Sequence, residues 1–119
     1  MAWNFTSNKP VYLQIAERIT NTILSGGYKP GEQIPTVRQL ALEAAVNPNT
    51  VQHAFSELEN EGLICVKGTM GRFVTENDEI IEKSRKKTAE KIVDEFLRNI
   101  TALSISKEQA IDMIKEVGE

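Results

Sequence analysis

Residues 36–62, TVRQLALEAAVNPNTVQHAFSELENEG, decide the fold. They read as two helices joined by a tight turn. Thr36 and Gln39 have the spacing of a capping box, a threonine N-cap with glutamine three residues on. Val37, Leu40, Ala41 and Ala44 then recur at i, i+3, i+4 and i+7, which makes one apolar face. Asn47 and Pro48 restart the chain. Asparagine caps free N–H groups, and proline at the first helical position gives up no intrahelical bond. Val51, Ala54, Phe55 and Leu58 provide the buried stripe of the second helix, and Gly62 is placed to end it. The opposite stripe holds Asn49, Gln52, His53 and Ser56, which are too short or polar for all of them to serve packing.

A second helix that offers amides and hydroxyls from its first turns suits the major groove of DNA, where an exposed helix N-terminus meets base edges and phosphates. Asparagine and glutamine can each hold adenine N6 and N7 with two bonds. A helical hairpin with a solvated polar face is the competing reading, and this stretch alone leaves both open.

Working outward, Leu63–Lys67 and Arg72–Thr75 are β-rich runs around Gly68-Thr69-Met70-Gly71, the pattern of a hairpin. Lys67, Thr69, Met70 and Arg72 lie at or beside its tip, and glycines there let backbone N–H groups come close to phosphate. Upstream, Pro10 opens a helix with Tyr12, Ile15, Ala16, Ile19 and Ile23 on one face, and Gly26-Gly27 stops it. Lys29-Pro30-Gly31-Glu32 is a turn, and Gln33-Ile34 has room for a short strand. Helix, helix-turn-helix, hairpin is the winged helix order. Before it, Trp3 and Phe5 stand among small polar residues as an arm that is either mobile or tucked against a partner.

Three runs, Pro10-Val11-Tyr12-Leu13-Gln14-Ile15, Gly26-Gly27-Tyr28-Lys29-Pro30-Gly31 and Ile34-Pro35-Thr36-Val37-Arg38-Gln39-Leu40-Ala41, resemble the N-terminal domain of the GntR family of bacterial transcription regulators. So do Asn49-Thr50-Val51, Leu58–Ile64 and Gly71-Arg72-Phe73-Val74, and the likeness spans residues 9 to 75 in order and spacing. The Val46-Asn47-Pro48-Asn49-Thr50 turn and the short tail resemble the YtrA-like subfamily. The resemblance implies a dimeric repressor, often of transporter operons, and carries over Arg38 as a residue that reaches DNA. The chain departs from the family at Ala45, where glycine is common, and at Pro48 and Gln52, where arginines are common. Its wing loop is also less basic than in many members.

From Asn77, an N-cap by its residue type, followed by Asp78 and Glu79, a tail begins. Ala89, Ile92, Val93, Phe96, Leu97 and Ile100 form its first stripe. Ser106 and Gln109 make a second capping box, with Ile105 and Ala110 in staple positions, and Ala110, Met113, Ile114 and Val117 line the last helix. The expected fold is mainly α with a small β hairpin, a winged helix-turn-helix domain followed by a C-terminal helical hairpin. The expected divisions are an arm at 1–8, a DNA-binding domain at 9–76 and a dimerisation tail at 77–119. The tail stripes either cover the core of their own domain or pair with a second copy, and because the winged helix has its own core, pairing is the expectation. The basic run Lys83, Arg85, Lys86 and Lys87 reads as a solvated face, with a phosphate contact as the lesser alternative.

The 119 residues carry a net charge of −3, with a sequence pI near 5.3, and this acidity speaks against nucleic-acid binding. Between Lys9 and Val74, however, acidic and basic residues balance, and Glu57, Glu59 and Glu61 cluster at the far end of the second motif helix. Only one cysteine and one histidine are present. Cys65 is expected to pack in a strand, and no metal cluster or Ser-His-Asp arrangement can be built within one chain. No enzyme activity, cofactor or membrane span is expected, and the setting expected is the cytoplasm. The expected function is sequence-specific DNA binding by a homodimer on an inverted-repeat operator, with any small-molecule effector left open. Arg38, Asn47, Asn49, Thr50, Gln52, His53, Lys67, Gly68, Thr69 and Arg72 form the expected interface. The alternative is a winged helix that binds protein instead, which would normally expose aromatic or aliphatic anchors where Asn49, Gln52 and His53 stand.

Overall fold

Proline at residue 10, held at φ −55°, sets where the first helix begins. The computed structural model describes residues 3–118; the expected arm and tail extend to Met1, Ala2 and Glu119, which lie outside the described residues. Helix α1 spans Val11–Leu24 and buries Ile15, Ala16, Ile19 and Ile23. Helix α2 spans Val37–Ala44. Both halves of its capping box form: Thr36 Oγ1 accepts from the Gln39 N–H at 3.1 Å, and Gln39 Oε1 accepts from the Thr36 N–H at 2.8 Å. Helix α3, Pro48–Asn60, starts with the Asn47 side chain accepting from the Asn49 N–H.

Strands β1, Ile64–Val66, and β2, Arg72–Val74, pair antiparallel with Ile64 opposite Val74 and Val66 opposite Arg72. The expected segment Gln33-Ile34 runs along the other side of β2. Gln33 bridges Phe73, the Ile34 N–H donates to the Arg72 carbonyl at 3.0 Å, and the Val74 N–H donates to that of Glu32 at 2.9 Å. The core gathers Ile15, Ile19, Leu40, Val51, Phe55, Leu58, Leu63, Ile64 and Val74, all nearly or wholly buried. Packing of α3 against α1 and α2 holds the helical layer together. The expectation for Cys65 fails: it is exposed. Side chains alternate across a strand, and Ile64 takes the core side.

Ala45 adopts the left-handed conformation, φ 60° and ψ 51°, and the Val46 N–H closes back onto the Ala41 carbonyl. The tight turn therefore keeps the geometry glycine would favour and bears the strain of a β-carbon. That strain is about 1–2 kcal/mol, against about 0.4–1 kcal/mol of extra unfolded-chain entropy for glycine. Ala45→Gly is expected to stabilise the protein by roughly 0.5–1 kcal/mol, read as a higher midpoint in urea at unchanged m-value. A lower midpoint would show the turn to be unstrained.

The described part of the arm, from Trp3 on, is tucked onto its own domain. Trp3 and Phe5 pack against the core cluster. The Trp3 Nε1–H donates to Glu43 at 3.2 Å, and the Arg18 guanidinium lies 4.0 Å from the indole centroid. Burial raises the Tyr28 phenol above its ordinary value, with Glu43 and Glu32 adding to the effect and Arg18 opposing it.

Helix α4, Asp78–Thr101, begins with the Asn77 side chain accepting from the Glu79 N–H. Two compact units divide within it, one through Glu82 and the other from Lys83. The first turns of α4 go with the first unit because Ile81 is buried and Ile80 packs on the core. Gly62, at φ +81°, leaves only 3.1 Å between a would-be β-carbon and Ile80 Cδ1. The left-handed backbone favours glycine there, and a β-carbon would also press on the Ile80 side chain. The second unit adds α5, Lys107–Glu116, whose capping box of Ser106 and Gln109 is complete. Of its described residues only Ala110 is buried, while Ile92, Val93, Phe96, Leu103, Ile111, Met113, Ile114 and Val117 are exposed.

Candidate nucleic-acid interface

The capping of α2 and α3 leaves one side of each helix free of the core. On α2, Arg38 is exposed next to the cap. On α3, Val51, Ala54, Phe55 and Leu58 take the inner face, so Asn49, Gln52 and His53 emerge exposed on the other. Asn47 spends its side-chain oxygen on the Asn49 N–H, and Thr50 is half-buried behind the cap, its N–H on the Asn47 carbonyl at 2.9 Å. Ser56 bonds back to the Gln52 carbonyl at 3.1 Å. Asn49 and Gln52 thus keep their amides unspent among the described residues, whereas Asn47 acts first as a cap.

His53 behaves differently. Its ring stacks on Tyr12 of α1, with centroids 3.5 Å apart and planes within 6°.

At the hairpin, Lys67, Gly68 and Thr69 are exposed. Lys67 Nζ stands 4.9 Å from the Phe73 ring centroid, so its stem lies along the hairpin while its charge stays in solvent. Arg72 turns the other way. Its Nε lies 2.6 Å from Glu59 Oε2 on α3, both side chains are mostly buried, and the guanidinium sits 4.9 Å from the Phe55 centroid. Arg72 is therefore not presented at the wing tip. The Gln33 amide reaches across to donate to the Met70 carbonyl at 2.6 Å, so the hairpin loop is tied at two points. Sequence reasoning missed Gln33, Glu59 and Tyr12: the first stood in a strand segment, the second in an acidic cluster, and the third in an apolar stripe.

The arrangement is a winged helix with amides on the exposed face of α3 and cations on either side. Residues 11–74 match the model for bacterial regulatory proteins of the gntR family. The chain belongs to the GntR family. Like that family, it is a DNA-binding transcriptional regulator, not an enzyme. It is 34% identical over 115 residues to the Bacillus subtilis uncharacterized HTH-type transcriptional regulator YhcF, covering 97% of this chain and 95% of that protein. It is 42% identical over 71 residues to the B. subtilis HTH-type transcriptional repressor YtrA, covering 60% of this chain and 55% of that one. Among solved structures, a GntR family transcriptional regulator from Listeria monocytogenes superposes with a TM-score of 0.86 at 34% identity, covering 96% of this chain and all of the other. AraR(DBD) in complex with operator ORX1 superposes with a TM-score of 0.57 at 26% identity, covering 63% and 95%. The GntR chain here has no helix, among its described residues, long and apolar enough to cross a membrane.

Proposed function

We propose that this GntR protein is a homodimeric, cytoplasmic repressor that reads an inverted-repeat operator through α3. The observation that carries the reading is the exposed amide pair, Asn49 and Gln52, on a helix whose inner face is wholly committed to the core. The apolar surface of the second unit supports pairing of two copies, since eight large apolar side chains there stand exposed. A two-fold dimer reads two half-sites related by symmetry. Amides in place of arginines favour A·T-containing half-sites, and the resemblance of the Val46–Thr50 turn and short tail to the YtrA-like subfamily makes a transporter operon the first target class to test. Gln52 meets a base edge with Asn49 beside it. Arg38, Lys67 and the backbone at Gly68 and Thr69 meet phosphates. Arg72, neutralised by Glu59, braces the wing.

Readout and positioning separate experimentally. A two-bond amide contact contributes roughly 1–3 kcal/mol of discrimination, whereas a cation on phosphate helps every sequence alike and steepens the salt dependence. Gln52→Ala is expected to lower the ratio of operator to random-DNA affinity at a nearly unchanged salt slope. Lys67→Ala weakens both duplexes together and reduces the slope by about one unit for each phosphate left without its cation. Binding of each variant to both duplexes across a salt series is the measurement. Equal weakening of both duplexes by Gln52→Ala would mean that another surface enters the groove.

A further inference from the structure

Tyr12 belongs to α1, outside the helix-turn-helix, and it is only half-buried. Its ring lies flat on His53, 3.5 Å and 6° from a parallel stack. His53 itself is exposed on the α3 face assigned above to DNA. Among the described residues, no hydrogen bond engages either imidazole nitrogen or the Tyr12 hydroxyl. The imidazole therefore has one face spent on tyrosine and both nitrogens, which lie in the ring plane, available at its edge. An exposed side chain normally samples several rotamers and loses that freedom on binding. The stack removes part of that loss in advance.

We propose that Tyr12 is a positioning residue for DNA binding, holding the His53 imidazole so that a ring nitrogen meets a backbone phosphate. The proposal rests on α3 being the groove-facing helix. It assigns a phosphate because the stack holds the His53 ring against Tyr12 near the start of α1 and leaves its edge to donate an N–H, which a phosphate oxygen, purely an acceptor, matches. Asn49 and Gln52 share that exposed face and carry the amides assigned above to base reading.

His53 is the only histidine in the chain, so its ring protons form a single identifiable set in a proton NMR spectrum. In the intact protein without DNA they are expected upfield of a solvent-exposed histidine, displaced by the tyrosine ring current. Tyr12→Phe retains that displacement, and Tyr12→Leu, which keeps an apolar side chain against the core, abolishes it. With a duplex of random sequence, Tyr12→Leu and His53→Ala each weaken binding by roughly threefold to tenfold per half-site, the range of one hydrogen bond. Tyr12→Phe binds as the parent does. Adding Tyr12→Leu to His53→Ala produces no further loss. If Tyr12→Leu weakens binding equally in the His53→Ala background, tyrosine acts through general folding and the proposal is overturned. Unshifted ring protons in the parent protein overturn it as well. The spectrum is taken without DNA, so a wrong groove assignment is exposed by Gln52→Ala and a missing stack by the spectrum alone.

Discussion

Glutamates placed together at Ile92 and Phe96 are expected to leave this GntR protein folded but monomeric. The two residues lie four apart on α4, hence on one face, and both are exposed. The one described position the second unit buries is Ala110, which both replacements leave unchanged. In a symmetric dimer each substitution counts twice, and an unpaired carboxylate buried at an interface costs several kcal/mol. The dimer dissociation constant should rise at least about a hundredfold. Sedimentation would show one mass at micromolar concentration, with circular dichroism unchanged. Operator affinity should fall further still, because linking two half-site contacts contributes roughly 10²–10⁴ in avidity. A double variant that still sediments as a dimer places the interface elsewhere. Truncation is a cleaner test after Glu82 than after Glu76, since the shorter chain would also lose buried Ile81 and the Ile80 packed beneath Gly62.

The largest loss of stability is expected from Phe55→Ala. Phe55 is fully buried on the inner face of α3, and removing such a ring costs about 3–5 kcal/mol in transfer and cavity terms. For a domain of this size the melting midpoint should drop by more than about 10 °C. The same change withdraws the aromatic face beneath Arg72, so the wing should lose hydrogen-exchange protection beyond the global effect. Ser56→Ala, one residue along, removes only a bond back to the Gln52 carbonyl and should stay within about 0.5 kcal/mol. A Phe55→Ala protein that melts as the parent does would contradict the core assignment.

Most of the scaffold was legible in the sequence because it is written in local chemistry. Thr36, Asn47 and Ser106 cap where spacing says they should. The stripe of Val51, Ala54, Phe55 and Leu58 fixes the inner face of α3 and so, by subtraction, the outer one. What was not legible involves pairs distant in the chain. Arg72 read as a wing-tip cation because nothing local reveals that Glu59, thirteen residues earlier, will neutralise it. His53 read as one more polar side chain on a stripe, and its stack on Tyr12 depends on how α1 crosses α3. The arm was open between mobile and tucked against a partner, and its packing on its own domain was not foreseen because Glu43 and Arg18, which hold Trp3, lie on two different helices. Cys65 was misplaced for a simpler reason: a three-residue strand gives too short an alternation to say which side is in.

The ion pair between Arg72 and Glu59 also bears on how such a regulator travels through a genome. Each phosphate neutralised by a free cation strengthens attachment to any sequence and steepens its dependence on salt by about 0.9. A wing whose arginine is already matched within the protein withholds that increment from random DNA. Residence on non-target sites should then be brief, and more of the molecules should diffuse freely between encounters than slide along the duplex. With the α3 amides as the reading groups proposed above, discrimination would rest on them, and occupancy of the operator would track the supply of free protein more than the bulk of surrounding chromosome.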